Sequence, residues 1–174
     1  MNREEKAKIE QKVKLLHFIK KIPIFSDLTE YHAKLILTIC NRIVVPEGGV
    51  LCNKSDTSDS MFILLMGKLV VKMDDNSVVS TINPISSIGE MGVFTGEPRT
   101  AKVEAVEKSS LLVLRKKDID TLIIRDAKFG VTLMRKVIEV LSKRITEDNI
   151  RMGQFKDYIV NKDEMEELKK ETDS

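Results

Sequence analysis

Residues 61–73, Met61-Phe62-Ile63-Leu64-Leu65-Met66-Gly67-Lys68-Leu69-Val70-Val71-Lys72-Met73, set two apolar runs on either side of one glycine. Each run is short for a helix and rich in residues that suit a pleated surface, so the stretch reads as two strands with a turn at Gly67. The pattern repeats outward in both directions. Arg42–Val45, Val50–Cys52, Val78–Ile82, Thr100–Val106 and Leu111–Leu114 are further short apolar runs. Pro46-Glu47-Gly48-Gly49, Ser55-Asp56-Thr57-Ser58-Asp59, Asp74-Asp75-Asn76 and Asn83-Pro84 punctuate them. Seven or eight strands at roughly ten-residue spacing predict a sandwich or barrel. Ala101, Val103 and Ala105 alternate with Lys102 and Glu104, which marks a strand with one buried face.

Helical spacing brackets this β region. Ile9, Val13, Leu16 and Ile19 predict a helix over residues 3–22, stopped by Pro23. Thr29 can cap a second helix through Cys40, with Ala33, Ile36, Leu37 and Cys40 as its apolar stripe. A short helix from Asp118 to Ile124 precedes a long one from about Ala127 to at least Asp148. On the long helix Val131, Met134, Ile138, Leu141 and Ile145 step by 3, 4, 3, 4, and Met152, Phe155 and Ile159 resume the register. That is a coiled-coil-like seam, broken at Asp148 and made uncertain in continuity by Gly153. The expected fold is α+β: an antiparallel β-roll or jelly roll of about eight strands, flanked by N-terminal helices and a long C-terminal helix. The expected divisions are 1–22, an N-terminal helix; 23–126, the β-roll; and 127–174, a C-terminal helical segment.

Composition narrows the classes. At 174 residues with 42% hydrophobic content, the chain suits one domain with a sizeable core. Cys40 and Cys52 form no CxxC pair and are expected to be buried free thiols of a reducing compartment, hence a cytoplasmic protein. No apolar run approaches the ~18 residues of a membrane span, and the charged start lacks a signal peptide's apolar core. Residues 1–21 carry seven Lys/Arg against three Glu, whereas 161–174 carry six acids against three lysines. Such segments are expected to be solvated faces, able to pair with one another; the basic start is too diluted for nucleic acid.

The chemistry concentrates in Gly89-Glu90-Met91-Gly92-Val93-Phe94-Thr95-Gly96-Glu97-Pro98-Arg99-Thr100-Ala101. The glycines allow close backbone approach or positive φ. A short helix starting near Glu90 would aim free amides at an anion. Arg99 can grip two phosphate oxygens and Thr100 can add a hydroxyl. Glu90 cannot bind a phosphate but can accept from a sugar hydroxyl. One acid for the sugar and one arginine for the phosphate describe a nucleotide pocket. Taken singly, the glycines are turn residues and Glu90 with Arg99 a surface ion pair; their joint order points to the pocket.

This stretch resembles the phosphate-binding cassette of cyclic nucleotide-binding domains, whose pattern is met by Gly89, Glu90, Met91, Gly92, Val93, Arg99, Thr100 and Ala101. Pro23–Thr29, Pro46–Leu51 and Met61–Gly67 extend the resemblance, which covers about residues 22–145. It implies that Glu90 accepts from the ribose 2′-hydroxyl and that Arg99 neutralises the cyclic phosphate. Thr100 and the amides of Gly92 and Val93 would complete the phosphate contacts. Val71 and Ile82 would line purine and ribose, although plain core is the more ordinary role for both; Ser80 is a weaker polar contact. The implied ligand is cAMP, with cGMP second, and no cofactor or metal is implied. Bacterial members of this family often dimerise along the long helix, here through Val131, Met134, Ile138, Leu141 and Ile145; the plainer role of that helix is to pack on its own β-roll.

The chain departs from the family at Ser55, Ser58 and Ile85, where glycine is usual, and at Ile88, often aromatic. These changes bear on loop shape rather than contact chemistry. A cupin-like enzyme needs histidines on its strands, but His17 and His32 both precede the β region, so no catalytic residue is expected. The DNA-binding relatives carry a helix-turn-helix domain after the long helix, whereas only 24 residues follow Ile150, too few for such a domain and too acidic for a DNA face. The expectation is a stand-alone sensor that reports to an effector protein, with neither DNA nor membrane as partner. The alternative is a degenerate domain that keeps the fold as an interaction or dimerisation module.

Overall fold

The computed structural model describes residues 2–172. Gly67 turns the chain between β3 (Ser60–Met66) and β4 (Leu69–Lys72), and the two strands then enter different sheets. The residue must be glycine: its φ is +96°, and a Cβ there would lie 2.6 Å from the Ser109 Cα. The remaining strands are β1 (Asn41–Val45), β2 (Val50–Cys52), β5 (Val78–Ile82), β6 (Ser86–Ile88), β7 (Lys102–Ala105) and β8 (Ser109–Arg115). They form two antiparallel four-stranded sheets, ordered β1-β8-β3-β6 and β2-β7-β4-β5, the jelly roll that the spacing predicts. Val45, Cys52, Phe62, Leu64, Leu69, Ile88, Val103, Ala105 and Leu111 form the buried core of these sheets. Both thiols are free, and burial pushes the Cys40 thiol up to about 12.

Helices precede, interrupt and follow the strands. These are α1 (Arg3–Lys21), α2 (Glu30–Ile39), α3 (Glu90–Thr95), α4 (Lys116–Arg125) and α5 (Ala127–Thr172), with a 3₁₀ turn at Pro23–Phe25. Thr29 caps α2 as expected, its hydroxyl accepting from the His32 N–H at 3.2 Å. His32 is buried and packs between elements. Its Nε2 meets Asp126 Oδ2 at 2.8 Å, and its ring stands edge-on to Phe129. Asp126 also accepts from the Phe129 N–H at 2.9 Å, and so caps the start of α5. That amide bond, followed by the His32 contact, holds the Asp126 carboxyl below its ordinary range. One aspartate thus ties α2 to the α4–α5 junction.

The chain forms two units that meet between Val137 and Ile138. In the first, α5 packs inward through Phe129, Leu133 and Val137, each buried. Gly130 lets it approach α4 closely, since a Cβ there would come 2.8 Å from Ile123. The expected seam is a different stripe. Val131, Ile138 and Ile145 are exposed, with Met134 and Leu141 half-buried. In the second unit the helix runs on through Gly153 without a break, supported by Lys143–Glu147 and Arg151–Asp148 pairs. The seam side chain of Ile159 and the pairing between the two charged ends lie outside the described residues.

Two departures from the family's glycines carry strain. Ser55 has φ +68° and Ile85 φ +72°, so both turns keep the left-handed conformation without the residue that suits it. Ile85 is β-branched, 36% exposed, and held by its N–H bond to the Leu64 carbonyl at 3.0 Å. Replacing it by glycine removes the left-handed penalty of about 1–2 kcal/mol, against a smaller loss of apolar contact and a higher unfolded-state entropy. Ile85→Gly is therefore expected to stabilise the protein by about 1 kcal/mol. A urea midpoint that falls or stays in place would contradict that strain.

Candidate functional site

The cassette is built where β6 hands over to α3. Gly89 has φ +80° and takes the N-cap position, which swings the chain from strand to helix in one residue. Gly96, at φ +82°, ends the helix after six residues, its N–H bonding the Gly92 carbonyl at 2.9 Å. The turn of helix expected at Glu90 is thus α3. Glu90 is its first residue and is 1% exposed; Val93 is buried on the same side, while Met91 points outward. Of the two amides expected to face an anion, that of Val93 already donates to the Gly89 carbonyl at 3.3 Å. The Gly92 amide belongs to the first turn and has no acceptor within α3.

Arg99 returns to this helix from the far end of the cassette. Its guanidinium donates from Nη1 to the Gly89 carbonyl at 3.2 Å and from Nη2 to the Ser60 carbonyl, and stands 5.4 Å over the Phe62 ring. The residue is 8% exposed, and its Nε–H is buried with no hydrogen-bond partner. The approach to Gly89 is so close that any Cβ there would collide with the guanidinium. The backbone around Arg99 is fixed as well: its N–H donates to the Asp56 carbonyl at 2.9 Å, and its carbonyl accepts from Ser55 at 2.8 Å. A cation held by neutral carbonyls, with a donor to spare, sits beside the positive end of a helix. Such a place is suited to an anion.

The other expected residues take graded positions. Thr100 is exposed and Ala101 half-buried, both in the bend before β7. The register sets Leu69 opposite Ile82 and Ala105, and Val71 opposite Ser80 and Val103, so these residues share one face. That face is the core face; Val71 and Ile82 are partly buried against the core cluster, and Ser80 is exposed. The roll therefore offers apolar flanks with a polar rim. Ser58, in a family glycine position, is buried against Gly92, and its hydroxyl has no partner.

Three contributors had no signal in the sequence: the Ser60 carbonyl and Phe62 at Arg99, and Lys116. The Lys116 Nζ donates to the Val93 carbonyl of α3 at 2.9 Å. All three depend on chain segments that come together only in the fold.

The chain is similar to several known proteins. The family model described as the cyclic nucleotide-binding domain matches residues 42–126. A cyclic nucleotide-gated potassium channel of Rhizobium etli is 27% identical over 78% of this chain and 38% of its own length. A cAMP-dependent protein kinase regulatory subunit of Yarrowia lipolytica is 28% identical over 57% of this chain and 27% of its own length. The chain thus spans well under half of either relative. The solved cyclic nucleotide-binding domain from Methylobacillus flagellatus superposes with a TM-score of 0.69 at 22% identity, covering 79% of this chain and 80% of that one. Among the described residues, no helix is long and apolar enough to cross a membrane.

Proposed function

With residues 42–126 belonging to the cyclic nucleotide-binding domain family, we propose that this chain is a regulatory sensor of a cyclic nucleotide, cAMP before cGMP. It reports ligand state through its terminal helices to a partner protein. The observation that carries this reading is the seat of Arg99: a buried guanidinium with a spare Nε–H, packed on Gly89 at the start of α3. A cyclic phosphate entering there exchanges two neutral acceptors for charged oxygens, which bind a guanidinium about twice as strongly. Gly92 adds its first-turn amide and Thr100 its exposed hydroxyl, while Glu90 takes the ribose hydroxyl. Val71 and Ile82 supply the apolar flank for the base. The role is binding rather than catalysis, in the cytoplasm, with neither DNA nor membrane as partner.

A homodimer through Val131, Met134, Ile138, Leu141 and Ile145 is part of the proposal. It is supported by Val131, Ile138 and Ile145, which α5 leaves exposed while packing through Phe129, Leu133 and Val137. Light scattering should return the mass of two chains, and Ile138→Lys that of one; a monomeric parent protein would remove this part.

The competing reading, a degenerate interaction module, is favoured by the strained Ile85 turn and by carbonyls already seated on Arg99. Thermal melting separates the two. At a hundredfold excess over Kd, the true ligand should stabilise the fold by about 2.7 kcal/mol. A larger shift with cAMP than with cGMP supports the proposal as stated, and the reverse order reassigns the base. A melting curve that moves with neither nucleotide favours the module.

A further inference from the structure

Lys116 opens α4, directly after β8, and reaches back to the cassette helix. A six-residue helix leaves its last carbonyls without intrahelical donors. Gly92 O is satisfied by the cap N–H of Gly96, and Val93 O by the Lys116 ammonium at 2.9 Å. The same ammonium lies 3.4 Å from Asp120 Oδ2, one turn further along α4. Lys116 therefore has one bond into the cassette and one into its own helix. Its backbone N–H is also fixed, donating to the Asp59 carbonyl at 2.8 Å.

The residues flanking Asp59 matter here. Ser58 abuts Gly92 of the cassette helix, and the Ser60 carbonyl accepts from Arg99. Three consecutive residues thus touch the cassette helix, the start of α4 and the phosphate-site arginine in turn. A ligand that draws Arg99 off Ser60 bears on the Asp59 carbonyl that holds the Lys116 N–H, and one that shifts the last turn of α3 bears on the Val93 carbonyl that holds its ammonium.

We infer that Lys116 is the positioning residue through which the cassette helix sets α4, its ammonium dividing between the Val93 carbonyl and the Asp120 carboxylate according to ligand state. This rests on the nucleotide-binding reading above. Lys116 touches no ligand atom in this account; it acts through α3. By reciprocity, whatever α4 gains from the bound cassette returns as a modest gain in affinity.

The test is amide hydrogen exchange over residues 90–97 and 116–125, with and without cAMP, in the parent protein, Lys116→Met and Lys116→Arg. The parent should change its α4 protection on adding cAMP. Lys116→Met should lose at least about two-thirds of that change while cAMP affinity falls less than about tenfold, as expected of a coupling rather than a contact. Lys116→Arg, which can still donate to both oxygens, should restore it. An undiminished α4 response in Lys116→Met overturns the inference, and so does an arginine variant no better than methionine. Without ligand, Lys116→Met should raise exchange at Gly96 and Glu97 together with the first turn of α4. If the parent binds neither cAMP nor cGMP, ligand signalling through Lys116 falls together with the sensor reading. If it binds cAMP but this unliganded effect is absent, the tie alone has failed.

Discussion

Cyclic nucleotide affinity is expected to fall at least about 100-fold in Arg99→Ala, with little change in fold stability. Hydrogen bonds to charged groups contribute about 1.5–3 kcal/mol each, and a bidentate grip on phosphate loses two of them. Even the lower sum, about 3 kcal/mol, is two orders of magnitude in Kd. The stability term is smaller because it has two signs. Truncation takes a donor from the Gly89 and Ser60 carbonyls, but it also removes a buried Nε–H that has no partner. Gly89 O keeps its bond from the Val93 amide. Calorimetric titration beside urea unfolding reads both numbers. An alanine variant that binds as tightly as its parent would show that the guanidinium does not face the ligand.

Gly89→Ala is the second large effect, and it too should be greater in binding than in folding. The left-handed φ of +80° costs an alanine about 1–2 kcal/mol. The added methyl also meets the Arg99 guanidinium head-on. That is the end of a flexible side chain, so the chain can still fold by moving it. The movement takes the cation off its seat over Gly89 and Phe62. We expect a loss of about 1–2 kcal/mol in stability and at least tenfold in cAMP affinity. Chemical unfolding and a fluorescence-competition titration check the pair of values. Loss of stability with unchanged affinity would mean that the seat is structural only.

Much of this was legible because the cassette is local. Gly89, Glu90, Gly92 and Arg99 lie within eleven consecutive residues, so their order survives as a motif in one dimension. The strands were equally readable where runs such as Met61–Met66 stand between turn residues. What escaped the sequence follows from longer-range pairing. β6 is Ser86-Ser87-Ile88, too short and too polar to alternate, and it becomes a strand because β3 pairs with it through Phe62–Leu64. Thr100 was expected inside β7 but lies in the bend before Lys102. α4 starts at Lys116, two residues ahead of the Asp118 start expected from sequence. Gly153 costs a helix about 1 kcal/mol but does not end this one. The family's glycines at 55 and 85 predicted a turn conformation that the chain keeps with Ser55 and Ile85, at the expense of strain. Lys116 carries no signal at all: a lysine after an apolar strand looks like any solvated residue until α3 is placed beneath it.

If the seat at Arg99 takes a cyclic phosphodiester joined to a ribose, calorimetric titration of the intact chain with cAMP will detect it. Binding should be saturable, micromolar or tighter, at one nucleotide per chain, with 2′-deoxy-cAMP bound more weakly because Glu90 loses its hydroxyl partner. No binding heat, and no competition with a fluorescent cAMP analogue, would contradict it. The chain would then be an interaction module that retains the cassette's shape without its ligand.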